Sequence, residues 1–155
     1  MVKLVDDTNY SDKTIDRILV CITAQGNSKR LINSGAQIAD ETDGELHILH
    51  VQVGNSIFNN DDTPRLLEEL FNFGSEKGGM IHCYCDENVS KCIGQFTKEK
   101  GITKIVFGQP PTGNKPEKEV ILNKLKKMLK FVPKGIELII IPRQEGAKNI
   151  RIERN

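Results

Sequence analysis

The chain has no tryptophan, and only two tyrosines and six phenylalanines in 155 residues. The remaining composition, 37% hydrophobic and 28% charged, is that of an ordinary soluble domain long enough to bury a core without disulfides or metal. It has almost no net charge: 22 basic residues against 21 acidic ones leave +1. A general field for nucleic acid or a membrane surface is thereby excluded, and any electrostatic function must be local. Long apolar runs are missing too. Ile18-Leu19-Val20-Cys21-Ile22 and Leu138-Ile139-Ile140-Ile141 are the longest, far short of the roughly 20 residues a membrane span requires. The polar N-terminus lacks the apolar core of a signal peptide. The expectation is a cytoplasmic domain with no membrane contact of its own.

Catalytic and metal signatures are equally scarce. No Gly-x-Ser-x-Gly elbow occurs, and the serines have no local partner to activate them. No catalytic residue is assigned, and the chain is not read as an enzyme. His47 and His50 stand at opposite-face spacing on one strand and do not converge; packing is the expected role of both, although His50 nears the strand's carboxyl end, where a ligand could touch it. Cys83 and Cys85 point one way and His82 the other, and no Cys-x-x-Cys knuckle is present, so no metal site is expected. In a reducing compartment Cys21, Cys83, Cys85 and Cys92 read as buried thiols without disulfides, Cys92 on the inner face of a helix.

What is present is alternation. Residues 1–14 read as a polar leader or linker, 15–143 as one domain, and 144–155 as a polar tail. Short apolar segments at 17–23, 45–53, 80–85, 103–107 and 136–141 read as strands covered on both faces. Between them lie four amphipathic helices. One is marked by Leu31, Ile32, Gly35, Ala36, Ile38 and Ala39, another by Leu66, Leu67, Leu70 and Phe71. The third carries Val89, Cys92, Ile93 and Phe96, and the fourth Ile121, Leu122, Leu125, Met128 and Leu129. Strict β-α alternation means an α/β fold, a five-stranded parallel sheet with helices on both faces. Ligands of such sheets bind beyond the carboxyl ends of the strands, where the strand order reverses.

That rule selects two loops. Thr23-Ala24-Gln25-Gly26-Asn27-Ser28-Lys29-Arg30 runs into a helix N-terminus, where backbone N–H groups and the helix dipole suit an anion or a polar ligand edge. Gly26 would let the backbone approach a ligand, and Asn27 or Ser28 could cap the helix. Gly108-Gln109-Pro110-Pro111-Thr112-Gly113-Asn114-Lys115 offers glycines, side-chain donors and a cation, without the Lys-Ser/Thr ending of a P-loop. The ligand-binding candidates are Thr23, Ala24, Gln25, Gly26, Ser28, Val51, Gly108, Gln109, Thr112 and Gly113.

Four blocks carry a resemblance: Arg17-Ile18-Leu19-Val20-Cys21-Ile22, Gly26-Asn27-Ser28-Lys29-Arg30-Leu31-Ile32, Gly44-Glu45-Leu46-His47-Ile48-Leu49-His50-Val51 and Lys104-Ile105-Val106-Phe107-Gly108-Gln109-Pro110. In order and spacing, over roughly residues 16–142, the chain resembles the universal stress proteins, and more narrowly the universal-stress-protein domain of Kdp-type potassium-sensing histidine kinases. The resemblance implies the Rossmann-like universal stress protein fold with strand order 3-2-1-4-5 and an adenine-nucleotide pocket between the first and fourth strands, the adenine against Val51. ATP-binding members carry an acid after the first strand and a longer glycine loop. Thr23 and Ala24 stand where the acid would be, and Gly108 and Gly113 are spaced differently. The Kdp-like branch also departs from that pattern, and some of its members are regulated by cyclic di-AMP. The implied function is an adenine-nucleotide-sensing regulatory domain (ATP, AMP or cyclic di-AMP as ligand) in potassium-responsive or stress signalling, as a homodimer or with a histidine-kinase partner. A ligand-free interaction or dimerisation module is the alternative, and an apolar fifth strand at the sheet edge would favour it.

Overall fold

The segment Arg17–Cys21 forms β1, and Ile18, Leu19 and Val20 have no exposed surface. A strand can lose all its surface only when both faces are covered, and the rest of the fold supplies that cover. The computed structural model describes residues 15–109, 118–143 and 148–153. Within them β1 is followed by α1 (Lys29–Thr42), β2 (Glu45–Gln52), α2 (Thr63–Glu76), β3 (Met80–Cys85), α3 (Val89–Glu99), β4 (Lys104–Gly108), α4 (Lys118–Met128), β5 (Glu137–Ile141) and β6 (Ile150–Glu153). Short 3₁₀ turns at Gly26–Ser28 and Ile57–Asn59 precede α1 and α2.

The strands lie in the order β3-β2-β1-β4-β5-β6, with β1 to β5 parallel. Alternation along the strands sorts the core into two layers. Leu19, Leu49, Ile105, Phe107, Leu138 and Ile140 meet Ile93 and Phe96 of α3, Leu125 of α4 and Leu129 just beyond it. Ile18, Val20, Ile48, Val106 and Ile139 meet Leu31, Ile32, Ile38 and Ala39 of α1 and Leu70 of α2 on the other face. α1 stops at Asp43, whose short polar side chain tolerates the left-handed conformation (φ 53°) that turns the chain toward β2.

Two sequence expectations are corrected. The sheet has six strands rather than five, because Ile150–Glu153, within the expected polar tail, pairs antiparallel with β5. Ile150 and Ile152 pack on the core beside α3 and α4 while Arg151 and Glu153 stay exposed. The four cysteines are free but not all buried: Cys83 and Cys85 are exposed, and Cys21 and Cys92 are half-buried. β3 is an edge strand, so its carboxyl end has a neighbour on one side only. Among the described residues no helix is long and apolar enough to cross a membrane.

The two histidines of β2, His47 and His50, are both buried. His47 Nε2 lies 3.2 Å from Glu45 Oε1, which also accepts from Arg17 Nε at 3.1 Å. Its Nδ1 lies 3.1 Å from Nε2 of His82, whose ring it stacks on. The hydrogen bond from His47 holds the Glu45 carboxyl below its ordinary range, and burial, then the neighbouring His47, lowers His82.

α3 presses on the turn after α4 at Gly94, where a Cβ would stand 2.5 Å from the Phe131 carbonyl oxygen and from Phe131 Cβ. Gly94→Ala is therefore expected to destabilise the protein by about 1–3 kcal/mol through overpacking, read as a lower urea midpoint. An unchanged midpoint would show that α3 can slide away from the turn.

Candidate functional site

The carboxyl ends of β1 and β4 are neighbours, and the chain leaves them in opposite directions, toward β2 on one side and β5 on the other. Two folded-back segments wall the resulting crevice. After β1, the Thr23 carbonyl accepts from the Gln25 amide at 2.7 Å and from the Ser28 hydroxyl at 2.8 Å, while the Gln25 carbonyl accepts from the Ser28 amide at 3.0 Å. Ser28 is buried and pins this loop, and it makes no side-chain capping bond to α1. At Gly26 a Cβ would meet nothing within 4 Å, so the protein's own packing does not demand a glycine there.

After β4, Gln109 clasps the end of β5. Its amide donates to the Ile141 carbonyl at 2.9 Å, its Oε1 accepts from the Arg143 amide at 3.3 Å, and its carbonyl accepts from Arg143 Nε at 3.1 Å. From the opposite wall, Arg30 in the first turn of α1 donates from Nη1 to the Pro142 carbonyl. A Cβ at Gly108 would lie 3.4 Å from a δ-carbon of Leu31, an ordinary contact.

Between these walls is a cavity of about 320 Å³, at the lower end of the range for small-molecule sites. Its floor is apolar, formed by Cys21, Leu49, Val51, Ile93, Phe107 and Leu125; its rim carries Thr23, Gln25, Asn27, Ser28, Gln109, Arg30 and Arg143. Among the described residues no acidic one lines it, and the first turn of α1 contains none. The nearly neutral chain thus has a locally positive opening, reinforced by a helix N-terminus. Burial, and secondarily Cys92, pushes the Cys21 thiol well above its ordinary range. Among the described residues no cluster of His, Cys, Asp and Glu is placed to hold a metal.

Of the sequence candidates, Thr23, Gln25, Ser28, Val51, Gly108 and Gln109 line this cavity. Ala24 and Gly26 belong to the same loop but not to the lining, and Thr112 and Gly113 lie outside the described residues. His50 is directed elsewhere: Nδ1 is 3.0 Å from the Ile22 carbonyl and Nε2 is 2.9 Å from Gln52 Oε1. Arg30 and Arg143 were not among the candidates. The strand-end rule that selected the first and fourth loops, applied to the fifth strand as well, would have reached Arg143.

No protein-family model matches the chain. Over 96 residues, 62% of its length, it is 31% identical to the sensor protein KdpD of Clostridium acetobutylicum, and the match spans 10% of that sensor. A KdpD sensor protein of Synechocystis is 31% identical over 94 residues, a quarter (25%) of its length. Among solved structures, a universal stress protein in complex with cAMP superposes with a TM-score of 0.58, at 15% identity, over 83% of this chain and 97% of that one. The universal stress protein of Archaeoglobus fulgidus in complex with dAMP gives 0.55, at 13% identity, over 83% of this chain and 98% of that one. The fold is therefore that of the universal stress proteins. More narrowly, part of the chain is similar to a stretch of the KdpD sensor proteins.

Exposure, together with the raised Cys21 thiol, orders the cysteines. Alkylation of the folded protein at neutral pH is expected to reach the exposed Cys83 and Cys85 first and Cys21 last. Mass mapping that found Cys21 modified ahead of them would mean that the cavity floor is open to solvent.

Proposed function

We propose that the chain is an adenine-nucleotide-sensing regulatory domain, working without catalysis in potassium-responsive or stress signalling in the cytoplasm. One observation carries this reading: a small cavity with an apolar floor and a cationic rim lies where the strand order reverses. An adenine ring has an apolar face and a hydrogen-bonding edge, and suits Val51 and Leu49 below with Thr23 and Gln25 at the rim. The solved neighbours that hold cAMP and dAMP support an adenine mononucleotide, and the KdpD similarity supports a sensor. Cyclic di-AMP shares the adenine and phosphate groups and belongs to the same ligand class. For the interaction-module alternative, a free fifth-strand edge would have been the argument, and β6 occupies that edge.

A ligand at a hundredfold excess over its dissociation constant adds about 2.7 kcal/mol of stability, which a melting assay reads easily. AMP, cAMP, cyclic di-AMP and ATP are the compounds to screen, and at least one is expected to raise the melting temperature. Val51→Phe should abolish the shift without lowering the melting temperature of the free protein, because the added ring fills the cavity. No shift with any of the four would turn the case toward the interaction module.

A further inference from the structure

The cationic rim has more order than a scatter of basic side chains. Arg30 and Arg143 come from places 113 positions apart in sequence, yet the Arg30 guanidinium ends on the carbonyl of Pro142, the residue just before Arg143. Arg143 in turn holds the Gln109 carbonyl at the end of β4. Both residues line the cavity, and the bonded partners of their guanidinium groups are backbone carbonyls, which accept hydrogen bonds without neutralising charge. Arg17 and Arg65 differ, each being paired with a carboxylate. A guanidinium has five N–H donors in a planar fork that matches phosphate oxygens in a bidentate way. One donor committed to a carbonyl fixes the fork and leaves others available.

We propose that Arg30 and Arg143 form a two-sided clamp for a phosphate group, so that the site selects a nucleotide over the corresponding nucleoside. The inference deepens the nucleotide reading above and rests on it. The base sits on the apolar floor, and the phosphate lies at the mouth between the first turn of α1 and the turn after β5. There the two guanidinium groups supply the positive charge and the α1 N-terminus adds to it. Bound phosphate then draws α1 and the post-β5 turn onto one anion, extending the tie that Arg30 already makes to Pro142.

The experiment is calorimetric titration of the wild-type chain, Arg30→Gln, Arg143→Gln and the two Lys variants with AMP, adenosine and inorganic phosphate. Melting temperatures serve as the check of folding. Wild type is expected to bind AMP at least tenfold more tightly than adenosine, the scale of a charge-assisted hydrogen bond. Added salt should narrow that gap. Each Gln variant should lose about tenfold in AMP affinity with adenosine unchanged, and Lys should restore only part, because it keeps the charge but not the fork. Equal wild-type affinity for AMP and adenosine would overturn the clamp and leave the base-binding reading standing. A preference for AMP that survives both Gln variants would overturn it as well. Should neither nucleoside nor nucleotide bind, inorganic phosphate still decides: uptake lost in the Gln variants supports the clamp alone, and no uptake by wild type overturns clamp and nucleotide reading together.

Discussion

Burial of β1 on both faces is the constraint from which the rest of this structure follows. Ile18, Leu19 and Val20 can be shielded only if α1 and α2 lie on one side and α3 and α4 on the other. Parallel crossovers of one hand produce that arrangement. Once β1 is central, β2 and β3 extend the sheet one way and β4 and β5 the other, so the chain must leave the ends of β1 and β4 in opposite directions. The crevice is thus a by-product of covering the core, lined by residues just past the strand ends together with residues of α1, α3 and α4.

The electrostatics follow from the same topology. A net charge of +1 promises nothing, yet among the described residues the cavity collects two arginines and no carboxylate. Glu45, which holds Arg17 and His47, and Glu137, which holds Lys104, stand at the opposite end of the strands. Segregation of this kind leaves a positive mouth over an apolar floor, suited to holding an anion attached to a flat ring. The thiol on the cavity wall, Cys21, is shifted toward the protonated form by burial.

Much of the fold was legible because its signal is local. Continuous apolar runs such as Leu138 to Ile141, separated by stripes such as Leu31, Ile32, Ile38 and Ala39, can be satisfied by little except a covered parallel sheet. β6 escaped notice because four residues with two isoleucines are too short a pattern to separate from a polar tail. Its pairing comes from the open edge of β5, which no local window displays. The exposure of Cys83 and Cys85 follows from β3 being an edge strand, a position that the segment's own residues do not display. At the site, Thr23, Gln25, Ser28, Val51, Gly108 and Gln109 could be found from the strand-end rule. The Ser28 hydroxyl was read as a helix cap, and its bond to the Thr23 carbonyl depends on the loop's own fold. Arg30 and Arg143 meet only through tertiary structure, and their separation in sequence concealed them.

The central claim is that an adenine nucleotide binds at the crevice between β1 and β4. Nitrogen–proton correlation spectra of the isotope-labelled chain, recorded while AMP is added, test it at the level of single amides. The account predicts perturbations concentrated at residues 22–30, at Val51, and at Gly108 and Gln109, with β3 and β6 unmoved. Saturable perturbations centred on β3 or β6 and sparing those residues would contradict it.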